Sequence, residues 1–292
     1  MNGKRNGRRR LGTPMAFAVA AAISLVAPIR VAQAAIEGRW IAEFDGPDGR
    51  VQLTTKRVSA GHGSTHSSSY PFSSFRGLVR PSASTPTPAR FELIRDAGTV
   101  VFEGQLDASG GAGRFSFVPA SDFGREMERI GYSLSEEDLF TATMHDIGRA
   151  FLRGLGEVGY SKVPFDDLVA MRIHGATPEF IREIKSLGYD HLSPDDLVAM
   201  RIHAATTEFI RELKSLGYDH LSPDDLVAMR IHGVTADFVG QIRDLGFRDV
   251  PPDDLVSMRI HGVSVDFARR VKSRNPEVTV DELVSMRIRG NH

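Results

Sequence analysis

From residue 166 onward this chain repeats itself every 29 residues, nearly letter for letter. Asp166-Asp167-Leu168-Val169-Ala170-Met171-Arg172-Ile173-His174 returns at 195–203 and 224–232, and with one change at 253–261. The 29-residue windows that start at Asp166 and Asp195 differ at only three positions. A fixed period of this size is the signature of stacked supersecondary units, each too small to bury its own apolar face and each completed by its neighbour.

Within one unit the signals are those of two short helices. Ser193 is a good N-cap, Pro194 suits the first helical position, and Asp195 and Asp196 put negative charge where the helix dipole favours it. Leu197, Val198, Met200 and Ile202 read as the apolar stripe, with Arg201 and His203 in the last turn. Gly175, Gly233 and Gly262 follow at the expected C′ position; Ala204 stands there in one copy, where a left-handed backbone costs alanine about 1 kcal/mol. Thr177, Pro178 and Glu179 open a second helix, whose Phe180, Ile184 and Leu187 share a face until Gly188 ends it. Leucines at 139, 168, 197, 226, 255 and 283 count five two-helix units and one terminal helix, predicting an α-helical solenoid over residues 133–292. The first unit departs from the consensus at Phe140, Thr141 and Asp146, and the last at Arg289, as end units do.

Residues 35–125 predict a different structure. Trp40, Ala42 and Phe44 alternate with polar residues, residues 45–49 form a turn cluster, and 51–58 resume the alternation. Runs at 91–95, 99–103 and 114–118, separated by Asp96-Ala97-Gly98 and Ser109-Gly110-Gly111, read as consecutive hairpins. The fold class is therefore α+β: a small antiparallel β meander or barrel-like module followed by the solenoid. Residues 59–69 and 80–89 read as long loops. Gly38-Arg39-Trp40 resembles the opening of lipocalin-type barrels, although about 85 residues is short for eight strands. On that reading Trp40, Phe44 and Phe102 would line a ligand cavity. Asp45 and Asp48 are explained by a hairpin turn without calcium, and His62 and His66 lack the helical pattern that would aim them at zinc. No metal and no cofactor is expected.

The N-terminus reads as an export signal over residues 1–34: a basic stretch at 4–10, an apolar stretch of 13 residues at 15–27, and Ala32-Gln33-Ala34 with cleavage before Ala35. The Arg8-Arg9-Arg10 run leaves both the general and the twin-arginine routes open. The expected location is periplasmic or extracellular, with no stable membrane span after cleavage. A chain of net charge −1 that sheds six basic residues and no acid is left at −7, which gives no electrostatic reason to bind nucleic acid. With no cysteine there is no disulfide, thiol catalysis or thiolate metal site. His-Glu-x-x-His, Gly-x-Ser-x-Gly, Ser-x-x-Lys and Gly-rich phosphate loops are all absent, so no enzymatic activity is expected.

The repeated Arg172, His174, Arg201, His203, Arg230, His232, Arg259 and His261 form a candidate interaction ladder, with His145 at the same position in the first unit. Helix-dipole and interhelix contacts also account for these residues, and collective titration near pH 6–6.5 is a further possibility for the histidines. The repeat phrase, continuing through Gly-x-Thr-Pro-Glu-Phe-Ile-Arg-Glu-x-Lys-Ser-Leu-Gly-Tyr, resembles repeats of uncharacterised exported bacterial proteins. It is similar as well to C-terminal extensions of membrane-bound antirepressor metallopeptidases of the beta-lactam-sensor type, whose zinc motif and membrane helices this chain lacks. Gly38-Arg39-Trp40, Arg95-Asp96-Ala97-Gly98 and residues 111–117 resemble the β segment that accompanies those repeats. The resemblance implies an extracytoplasmic sensing or docking role and no peptidase activity. The leading expectation is an extended surface for a protein or peptide partner; the alternatives are a small ligand in the β module, and self-assembly.

Overall fold

A computed structural model describes residues 36–45, 49–59 and 62–290. The export signal at 1–34 and positions 46–48 of the first turn lie outside the described residues. The fold is α+β, a curled half-barrel of seven antiparallel strands followed by twelve helices in a repeating pattern.

The strands are β1 (Ile36–Asp45), β2 (Arg50–Ser59), β3 (His62–Pro71), β4 (Phe75–Arg76), β5 (Thr87–Arg95), β6 (Gly98–Leu106) and β7 (Gly110–Pro119). Their order is β3-β2-β1-β7-β6-β5-β4, so two meanders are joined where the first strand pairs with the last. Chain connectivity dictates the curl. β3 and β4 are the two edges, yet only a single 3-10 turn, Phe72–Ser74, separates them. A flat seven-stranded sheet would hold its edges about 29 Å apart at ~4.8 Å per strand. Three linking residues reach only about 14 Å, so the sheet must roll. Two facing glycines permit the close strand approach inside the roll: a Cβ on Gly113 would sit 2.0 Å from the Glu103 carbonyl, and one on Gly104 2.2 Å from that of Ala112.

Residues 62–69, expected within a loop, form most of β3 instead, paired along its whole length with β2. Serine hydroxyls replace apolar contacts on this edge: Gln52 Nε2 donates to Ser67 Oγ (3.0 Å), and Thr54 Oγ1 and Ser67 Oγ share a bond of 2.9 Å. Helix α1 (Ser121–Arg129) crosses the boundary between the β module and the repeats, burying Phe123 and Met127 one turn apart. The described residues form one compact unit.

The repeats place their first helices in one layer: α2 (Glu136–His145), α4 (Phe165–His174), α6 (Pro194–Ile202), α8 (Pro223–Ile231), α10 (Pro252–Ile260) and α12 (Val280–Ile288). Each of these helices touches the next. The second helices form the other layer: α3 (Arg149–Glu157), α5 (Pro178–Ser186), α7 (Thr207–Ser215), α9 (Ala236–Asp244) and α11 (Val265–Arg274). The caps are those the residues dictate: Ser193 and Asp196 form a reciprocal capping box, as do Ser222 and Asp225. Gly175, Gly233 and Gly262 take φ of 74°, 72° and 69°, and Ala204 is forced to 55° at the same position. Ala204→Gly is therefore expected to stabilise the chain by about 1 kcal/mol, read as a rise in urea midpoint at unchanged m-value, because Ala204 is exposed and loses no packing.

Candidate docking face

Leu168 and Met171, one helical turn apart, point α4 into the core, at 1% and 0% exposed. At 100° per residue, Ile173 then lies about 170° from the direction midway between them, on the far side of the helix. The structure places it there. Ile173, Ile202, Ile231, Ile260 and Ile288 are 53%, 52%, 53%, 54% and 62% exposed, so the reading of Ile202 as core is corrected. Asp166, partly exposed Val169 and Ala170, and Ile173 share this outer face, and the later first helices repeat the pattern. The face thus carries an apolar row with exposed aspartates on one side (166, 195, 224, 253, 281) and exposed His174, His203, His232 and His261 on the other. Five equivalent isoleucines at one position of successive helices are not the scattered apolar side chains of an ordinary surface.

The arginines of the predicted ladder bridge neighbouring units of the stack. Arg172 lies 5.1 Å over the Phe151 ring of the preceding unit. Its Nε donates to the His145 carbonyl (2.9 Å) and its Nη2 to Asp146 (2.7 Å). Arg201, Arg230 and Arg259 sit 5.0 Å over Phe180, Phe209 and Phe238, and Arg287 lies 5.1 Å over Phe267. Each such contact contributes about 0.5–1 kcal/mol at a partly exposed site. Tyrosines link in the opposite direction: the hydroxyls of Tyr160, Tyr189 and Tyr218 donate to the carbonyls of Leu192 (2.6 Å), Leu221 (2.9 Å) and Val250 (2.7 Å). Of the predicted ladder, the outer face therefore displays the histidines, while each guanidinium is stacked on a neighbour's ring.

The first unit differs. Met144 stands one repeat before Ile173 but is only 3% exposed, at a helix end that β3 meets. The Tyr70 hydroxyl donates to the Met144 carbonyl (3.0 Å) and lies 3.1 Å from His66 Nε2. The His66 ring meets the His145 ring edge to face at 4.6 Å. Burial, then the His66 ring, then Arg172 push His145 down to about 4. Burial and then Arg57 also hold His66 below the usual imidazole range. Phe140 packs between Phe115 (5.6 Å) and Phe117 (5.4 Å) of β7, and Arg57 pairs with Glu137, so α2 is anchored to the sheet independently of β3.

Trp40, Phe44 and Phe102 are 1%, 8% and 0% exposed. Trp40 meets Phe91 at 5.2 Å and Phe102 at 6.3 Å, Phe91 stacks on Phe102 at 4.8 Å, and Phe44 meets Phe72 at 5.2 Å. Rings occupy the space that the cavity reading reserves for a ligand, and none of the described clefts is lined by any of the three. Trp40 Nε1 donates to the Glu103 carbonyl (3.2 Å), which satisfies the indole within the sheet.

No family model, curated protein or solved structure matches this chain. Among the described residues no helix is long and apolar enough to cross a membrane. The sequence placed the histidines and arginines correctly along the repeat but missed the isoleucine row and the His66–Tyr70–His145 contact. A helical wheel drawn from Leu168 and Met171 would have found the first. Nothing local announces the second, whose imidazoles are 79 positions apart in the chain.

Proposed function

We propose that this chain is a non-enzymatic, exported scaffold whose first-helix layer docks an extended segment of a partner protein along the isoleucine row. The observation that carries this reading is the exposure of the same apolar side chain on five successive first-layer helices, in a stack that buries the neighbouring Leu of each and the neighbouring Met of all but the last. The chain's own structure supplies the argument for an extended occupant. The first position of the row is met by a strand, β3, which contributes a hydroxyl donor to the helix-end carbonyl and an imidazole to the histidine beside it. Stacked repeats favour such ligands because they offer equivalent contacts at regular steps. The basic stretch at 4–10, the apolar stretch at 15–27 and Ala32-Gln33-Ala34 support an extracytoplasmic setting.

The test compares the full chain with an Ile202→Asp/Ile231→Asp variant. Both positions are about half exposed and end their helices, where an added carboxylate opposes the dipole, so each substitution should cost about 1 kcal/mol and leave the chain folded. Proteins retained from envelope extract are identified, and the contacting segment is synthesised and titrated against both chains. Affinity for the unsubstituted chain is expected to exceed that for the variant by at least about tenfold, about 1.4 kcal/mol. Equal affinity for both, or recovery of no partner that depends on the solenoid, ends the docking reading. A concentration-dependent mass for the chain alone, abolished in the variant, would replace the partner segment with a second copy.

A further inference from the structure

The two imidazoles at the first position are enclosed by positive charge. Arg57 of β2 faces His66, Arg172 of α4 faces His145, and Arg95 of β5 lines the same cleft. Arg57 pairs with Glu137, while Arg95 (3.1 Å) and Arg172 (2.7 Å) share the single carboxylate of Asp146. Three guanidiniums thus face two carboxylates, both already paired. Tyr70 offers no counter-charge, since burial raises its phenol far above neutral pH. Its hydroxyl donates to the Met144 carbonyl and so accepts from His66 Nε2. The arrangement is complete with both rings neutral, and a proton on either one meets its neighbour ring and the arginines. A cleft of about 620 Å³ between β3 and α2, which runs on to Ile173, gives water access to the pair.

We propose that β3 is an acid-released cover over the first position of the docking row: protonation of His66 and His145 parts the strand from α2 and exposes Met144 in line with Ile173. β3 suits this task because it is the sheet edge, paired with β2 on one side only, while Phe140 and Glu137 keep α2 on the sheet. The purpose of the release rests on the docking reading; the opening itself is a property of the chain alone.

The sign follows from where the protons bind. Histidines held neutral in the closed form bind protons more readily once released, so closure is fully favoured above about pH 6.5 and is lost as pH falls toward 4. With His145 at about 4 when closed and 6.5 when free, the ratio of open to closed rises about thirtyfold between pH 7.5 and 5.0 from this group alone. His66 acts in the same direction.

Hydrogen exchange of the full chain, without partner and corrected for intrinsic rates, tests the proposal. Opening of β3 is expected to rise at least thirtyfold from pH 7.5 to 5.0, while β6, in the middle of its meander, stays protected. In a His66→Gln/His145→Gln variant the rise should fall below threefold. Protection of β3 that ignores pH in the unsubstituted chain, or an equal rise in the variant, overturns the proposal. Should the variant fail to melt cooperatively at pH 7.5, the unsubstituted chain decides: a rise in β3 exchange that tracks the titration of the His145 ring resonance upholds the proposal, and a rise that does not track it, or titration of that resonance near 6.5, refutes it. Because no partner takes part, this result and the Ile202→Asp/Ile231→Asp result can fail separately.

Discussion

Phe102→Ala is expected to destabilise the chain by about 3–5 kcal/mol, the largest effect of any single truncation proposed for it. The ring is 0% exposed and touches Trp40, Phe75, Phe91 and Phe115, so its removal leaves a void that no single neighbour can refill. Denaturant melts followed by Trp40 fluorescence would measure the loss directly, since Trp40 is the only tryptophan in the sequence and packs on this ring. The same variant bears on ligand binding. If the native sheet interior is filled, benzene should raise the melting temperature of Phe102→Ala and leave the unsubstituted chain unaffected, as an engineered apolar cavity does. Loss of less than 1 kcal/mol would mean that the rings are loosely packed and that the interior has room for a guest.

Leu226→Ala should cost about 2–5 kcal/mol, and the form of the loss matters as much as its size. Leu226 is 0% exposed on α8, which packs between α6 and α10. In a stack stabilised by nearest neighbours, weakening a central unit weakens two interfaces at once. Leu283 is equally buried, but among the described residues α12 has a first-layer neighbour on one side only, α10. Leu283→Ala should therefore fray the last helix, visible as fast amide exchange over Val280–Ile288, with little change in the main unfolding midpoint. If the two substitutions shift that midpoint equally, the repeats do not behave as a linear array.

The repeat architecture was legible because the chemistry that makes it is local. Ser193, Pro194 and Asp196 are a complete helix start within four positions, and the glycine sites announce φ > 0 strongly enough that even the strain at Ala204 was visible beforehand. What the sequence concealed was geometry that residue type does not encode. Ile202 belongs to an apolar run, yet its angle around the helix opposes that of Leu197 and Met200, and angle rather than hydrophobicity decided its exposure. β3 was hidden for the converse reason: a strand whose side chains are mostly Ser, Thr and His takes its structure from pairing with β2, and pairing is a property of the partner strand. The junction at His145 depends on a contact between β3 and α2 that no window of sequence contains.

The opposed tyrosine and arginine links carry a consequence for length. Every link joins a residue of one copy to an equivalent place in the next, so the joint between any two central units is interchangeable. Excising residues 195–223 would bring Ser193-Pro194 directly before Asp224-Asp225, keeping the Tyr160 link to Leu192 and setting Arg230 over Phe180, where Arg201 sits in the full chain. Such a shortened chain should fold, whereas removing 28 or 30 residues at the same place should not. The molecule is in this sense modular, able to grow or shrink only by whole copies.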